Sequence, residues 1–179
     1  GYDAELGWVR KPNTTGTEQA RHGTVQWRID RLGARDDPLM DGAPIGVVAV
    51  GDSYTFARQV SDEEAWPAQL GHLLGVRVLN LGVGNYGLDQ ALLRFRRDGR
   101  THGARVVVLG VVPETIARLQ SAWKHYSEYG NTFAFKPRFR LREGELELWP
   151  NIIAHPDRFR EYRNYLPILQ ERDAFYRAK

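Results

Sequence analysis

Three runs of apolar, mostly β-branched residues constrain this chain more than any other feature: Ile45–Val50 (IGVVAV), Val76–Leu81 (VRVLNL) and Arg105–Val112 (RVVVLGVV). Each stops at a strand-breaking residue, Gly51, Gly82 and Pro113 in turn. Continuous rather than alternating apolar runs suit strands covered on both faces, as in a parallel sheet. The intervals between them predict helices. Pro67–Leu74 opens with a proline, which has no amide hydrogen to lose in a first turn, and closes at Gly75, which accepts left-handed geometry. Leu88, Ala91, Leu92 and Phe95 recur on one helical face, with Arg94, Arg96, Arg97 and Asp98 mostly off it. Strand, helix, strand, helix, strand predicts an α/β domain with a parallel sheet and right-handed crossovers. Ligands bind such sheets at the carboxyl ends of the strands. Those ends are Gly51–Thr55, Gly82–Gly87 and Pro113–Ile116.

The flanks differ in texture. Residues 1–44 are rich in glycine and proline and read as an irregular lead-in with one edge strand, Thr24–Ile29, whose Val25, Trp27 and Ile29 share a face. The α/β domain is expected over residues 45–179. Near its end, a two-residue turn at Glu143-Gly144 would set Arg142 opposite Glu145, Leu141 opposite Leu146, Arg140 opposite Glu147 and Phe139 opposite Leu148. That register neutralises the basic stretch Lys136–Arg142, which speaks against a nucleic-acid surface. From Asp157 onward a helix is expected, with Phe159, Tyr162 and Leu166 in phase and Pro167 interrupting it.

Composition narrows the function classes. With 42% hydrophobic and 26% charged residues in 179, the chain can build an ordinary globular core. Lysine plus arginine exceeds aspartate plus glutamate by only 25 to 22, too little to call for nucleic acid. No apolar run approaches the ~20 residues of a membrane span. The absence of cysteine excludes disulfides, thiolate metal sites and cysteine nucleophiles. The five histidines form no metal-binding spacing, so neither metal nor cofactor is expected.

The sharpest local motif is Gly51-Asp52-Ser53-Tyr54-Thr55, directly after the first apolar run. A serine at such an exit can present its hydroxyl at the rim of the sheet, with its own amide free to hold a developing oxyanion. VVAVGDSYTF, followed by VSDEEAWPAQL and VRVLNLGVGNYGLDQ, resembles the SGNH/GDSL serine hydrolase family. The lead-in ELGWVRKPN and the later KPRFRL look like one bacterial subgroup of it. The resemblance implies a three-layer α/β/α, flavodoxin-like sheet with a hairpin-and-helix extension. It also implies a serine esterase or acyltransferase acting on a small-molecule or glycan ester, such as an acyl or acetyl ester of a carbohydrate. By position, Ser53 matches the family's nucleophile and Asp52 the acid that orders the nucleophile turn. Asn85 falls where family members place an oxyanion-hole glycine, with Gly82 and Gly84 keeping the loop close.

Two blocks depart from the family. The third strand ends in Val112-Pro113-Glu114-Thr115-Ile116, without the asparagine whose side chain completes the oxyanion hole. Glu114 cannot donate when ionised and Thr115 offers a short hydroxyl, and one missing donor costs on the order of 10²–10³ in rate. The closing D-x-x-H block, which supplies the base, is absent, and His155-Pro156-Asp157 has the wrong order and spacing. His125 or His155 standing in as base has no support from spacing. In the subgroup that block lies beyond the equivalent of Lys179, so the resemblance implies a fragment truncated at both ends. Two alternatives stay open: a non-catalytic relative binding a glycan or partner, and a nucleotide binder. Gly82-Val83-Gly84-Asn85-Tyr86-Gly87 has the G-x-G-x-x-G form, but on the second strand, with Glu114 as its only acidic partner.

Overall fold

The computed structural model describes residues 1–124 and 134–177. It is a mixed helix-and-strand α/β structure that falls into two compact units. One comprises Arg10–Tyr86 and Ala91–Val111, the other Gly1–Val9, Gly87–Gln90 and Val112–Lys179.

In the first unit, β5 (Ile45–Val50) lies between β6 (Arg77–Asn80) and β7 (Val106–Leu109), all parallel. The register sets Val48 opposite both Leu79 and Val107. The centre of β5 is buried on both faces, which is why its run is continuous. Val48 and Val50 pack with Leu79, Leu81, Ala91 and Phe95, while Val47 and Ala49 pack with Val78, Leu70 and Val108. Leu70 belongs to α2 (Trp66–Leu74), which ends at Gly75 with φ 64°, the left-handed stop its sequence called for.

Three features of this unit depart from expectation. First, Thr14–Ala20 is a strand, β3, paired antiparallel with β4 (Gly23–Ile29) so that Gly16 faces Trp27. A side chain at Gly16 would drive into the Trp27 ring, 2.2 Å from a Cβ there. Second, β7 is a sheet edge and not a buried strand: Val106 is 51% and Leu109 48% exposed, and among the described residues β7 pairs only with β5. The opposite edge, β6, is covered by Arg35, whose amide donates to the Asn80 carbonyl at 2.8 Å. Third, Arg94 does not lie off the apolar face. It ends α3 (Leu88–Arg94) buried, donating to the Gly33 carbonyl at 3.1 Å and pairing with Asp98 at 2.6 Å. The chain then passes into a π-helical turn, Phe95–Gly99.

The second unit begins with two short paired strands, β1 (Tyr2–Asp3) and β2 (Gly7–Trp8). Its core gathers Trp123 stacked on Phe135 at 5.1 Å, with Ile153 and Leu169, and with Phe159, Tyr162 and Leu166 against them. The hairpin of β8 (Arg138–Arg142) and β9 (Glu145–Trp149) has the expected register throughout, and Arg140 pairs with Glu147 at 2.6 Å. Its turn residues Glu143 and Gly144 both have positive φ, the geometry a two-residue hairpin turn requires. The leucines on its other face, Leu141 and Leu146, are exposed.

Past residue 156 the expected helix up to Pro167 is a 3-10 segment, Pro156–Tyr165, and an α-helix follows, Leu166–Arg172. Pro167 therefore opens a helix, where its missing N–H costs nothing. Asp173 ends it fully buried. Its carboxylate accepts from the Ser121 hydroxyl at 2.6 Å and from the amides of Ala122 and Trp123 at 2.8 and 3.2 Å. Asp89, at the start of α3, is also buried and pairs with Lys136, whose ammonium donates to the Pro137 carbonyl as well. Burial lowers the Lys136 pKa, with Asp89 opposing the shift. Asp89 thus serves an internal ion pair through Oδ2, while its Oδ1 accepts the Gln90 amide in the first turn of the helix at 2.8 Å. Gln90 shares this capping, its side-chain oxygen accepting from the Gly87 amide at 3.2 Å.

Candidate active site

Beyond the end of β5 the chain turns through Gly51, at φ 155°, into the single-turn helix α1 (Ser53–Phe56). Asp52 is its N-cap: buried, it accepts the Tyr54 amide on Oδ1 at 2.9 Å, while its carbonyl accepts the Phe56 amide at 2.9 Å. Ser53 is thereby fixed as the first residue of the turn, half-buried at the strand's carboxyl end. Thr55 wedges the turn from beneath. A Cβ at Gly51 or at Gly110 would lie 2.1 Å from its hydroxyl oxygen, so both glycines are needed for close approach.

The loop after β6 meets this turn directly. Val83 donates to the Gly51 carbonyl at 3.1 Å, and Gly82 donates to the Asn80 side chain at 3.0 Å. A side chain at Gly82 would stand 2.4 Å from the Phe56 amide nitrogen, so this position tolerates glycine alone. Gly84 is roomier, with nothing near a Cβ placed there. Asn85 has φ 65°, the left-handed region that asparagine enters more readily than most residues. The sheet unit therefore brings Asp52, Ser53, Gly82, Gly84 and Asn85 onto two loops in contact at one end of the sheet.

Sequence reasoning missed the residue that holds α1 from its far end. Arg35, 3% exposed, donates from Nη1 to the carbonyls of Phe56 and Ala57 at 2.6 Å each, and from Nη2 to the Val60 carbonyl at 2.7 Å. Its Nε meets Asp62 Oδ1 at 2.9 Å. Arg10 stacks on Phe56 from another direction, with its guanidinium carbon 4.1 Å from the ring centre. No motif announces Arg35, one of many arginines in an irregular stretch.

A cleft of about 640 Å³ opens beside Ser53, walled by Tyr54, Ala57, Arg58, Gln59, Val60, Glu64 and Trp66. The Trp66 indole N–H donates to the Tyr54 carbonyl at 3.0 Å, which ties the ring to the residue after Ser53. Glu64 accepts the Ser61 amide at 3.0 Å, the pairing expected from their spacing.

The third block lies in the second unit, at α4 (Pro113–Ala117). Thr115 is buried, and its hydroxyl donates to the Val112 carbonyl at 2.6 Å and accepts the Val112 amide at 3.1 Å. With its one proton spent on that cap, Thr115 has no donor left for an oxyanion. Glu114 is exposed. Gly87, the last glycine of the G-x-G-x-x-G stretch, packs against Arg118, 3.2 Å from a Cβ placed there. Packing thus accounts for the first and last glycines of that pattern.

No histidine lines the cleft at Ser53 among the described residues. His72 reaches Asp37 at 3.2 Å, and His155, exposed, meets its neighbour Asp157 at 3.2 Å. His125 lies outside the described residues. Among the described residues no cluster of histidine and acidic side chains could hold a metal, and no helix is long and apolar enough to cross a membrane. No family model matches the chain, and no curated protein matches it.

Proposed function

We propose that this chain carries the nucleophile turn of a serine esterase or acyltransferase. Ser53 Oγ attacks an ester carbonyl, its proton passing to a base that the described residues do not supply. The amides of Ser53 and Asn85 hold the oxyanion, the alcohol departs, and water or another hydroxyl then takes the acyl group from Ser53. An acyl or acetyl ester of a carbohydrate suits this reading. The observation that carries it is the mutual fit of two loops: Asp52 caps the turn bearing Ser53, and Gly82 lets the Asn85 loop press against that turn.

The finer architecture we propose is the flavodoxin-like three-layer sheet. Residues from α2 and from the Ala91–Phe95 stretch pack on opposite faces of β5, as a helix layer on each side of the sheet requires.

A second reading, a non-catalytic module binding a glycan or partner, is favoured by the spent Thr115 hydroxyl and by the lack of a histidine at the cleft among the described residues. Fluorophosphonate labelling separates the two. Labelling that disappears in Ser53→Ala supports the enzyme, and a folded protein that does not label supports the binding module.

A further inference from the structure

The cleft beside Ser53 has walls whose chemistry selects a ligand. Trp66 is 36% and Tyr54 66% exposed, and both line the same cavity with Ala57 and Val60. The indole N–H already donates to the Tyr54 carbonyl, so Trp66 offers the cleft a ring face and no donor. The charges at the rim are also engaged: Arg58 pairs with Glu18 at 2.5 Å, and Glu64 accepts the Ser61 amide. A cavity with flat apolar walls and few unengaged charges favours a neutral group. At about 640 Å³ it is in the ordinary size range for small-molecule sites. A flexible alkyl chain would keep much of its surface in water against walls this exposed. A rigid ring covers an indole with one face and gives up little conformational freedom.

We propose that this cleft is a subsite for a neutral six-membered ring with a flat apolar face, carried by the ester next to its scissile carbonyl. The proposal rests on Ser53 being the nucleophile for its placement, and on the cavity for its chemistry. An aryl ring and a pyranose share that face, and the assay tells them apart.

Turnover of phenyl acetate, glucose pentaacetate and hexyl acetate is compared in the intact protein and in Trp66→Ala and Trp66→Phe. The kcat/KM ratio of a ring acetate to hexyl acetate is expected to fall at least tenfold in Trp66→Ala and to recover substantially in Trp66→Phe. Whichever ring acetate shows the loss identifies the ring type. Equal losses on all three acetates, or none, overturn the subsite. Binding is read separately in Ser53→Ala by the NMR signal of the Trp66 indole N–H. A saturable shift with a ring acetate and none with hexyl acetate supports the subsite, even if no Ser53-dependent turnover is found and the esterase reading falls. Ser53-dependent turnover without that shift overturns the subsite and leaves the esterase reading standing.

Discussion

Replacing Arg35 by methionine keeps the volume of the side chain and removes four hydrogen bonds at once. Three of their acceptors, the carbonyls of Phe56, Ala57 and Val60, belong to α1 and the segment after it, and the fourth is the buried Asp62. Hydrogen bonds from a charged donor contribute roughly 1.5–3 kcal/mol each, but the four share one side chain and do not add. Breaking a buried ion pair by removing one partner costs about 3–5 kcal/mol, and because Asp62 keeps Arg28 Nε at 3.2 Å the lower end of that range sets the expectation here. Against a total stability of about 5–15 kcal/mol this is a large fraction. Equilibrium urea unfolding measures it: with a slope near 2 kcal/mol/M, the midpoint should fall by about 1.5 M. Arg35→Lys should recover less than half of the loss, because an ammonium cannot reach four acceptors arranged around a planar fork. A loss below about 1 kcal/mol in Arg35→Met would refute the argument, since it would mean that water satisfies those carbonyls in the variant.

In the second unit, Lys136→Met strands Asp89 as an unpaired buried charge and should cost about 3–5 kcal/mol, whereas Lys136→Met with Asp89→Leu should restore most of it; a single variant within about 1 kcal/mol of the parent in chemical denaturation contradicts this. The hairpin carries a pH prediction. The hydrogen bond from Arg140 holds the Glu147 carboxyl below the usual glutamate range, so its contribution is complete above the ordinary glutamate value and fades as pH falls through the depressed native one. Carboxyl NMR titration should show that pKa rising in Arg140→Gln, and an unchanged titration would discard the pairing as its cause.

Where local pattern and tertiary need coincide, the sequence was readable. The β8–β9 register follows from four cross-strand pairs agreeing with one turn, and α2 from its terminal proline and glycine. The Ser53 turn is legible because a capping aspartate, the serine and the glycine before them are adjacent. What escaped is nonlocal. The residues of β3, TTGTEQA, have no apolar face and owe their conformation to pairing with β4. The charge of Arg94 predicts the polar side of α3, yet the Gly33 carbonyl and Asp98 let it be buried. The clamp formed by Arg35 depends on carbonyls more than 20 residues away, which no window of sequence relates to it. The apolar composition of the third run predicts a buried strand, and composition does not distinguish a strand with one neighbour from a strand with two.

Among the described residues no strand pairs with the outer side of Val106–Leu109, and the whole run from Val106 to Val112 lacks a charge or a proline to deter a stranger. A strand of this composition is a ready template for cross-β association between molecules. Concentrated samples should therefore lose solubility through this edge before any unfolding, and a lysine at Val107 should act as a gatekeeper against it.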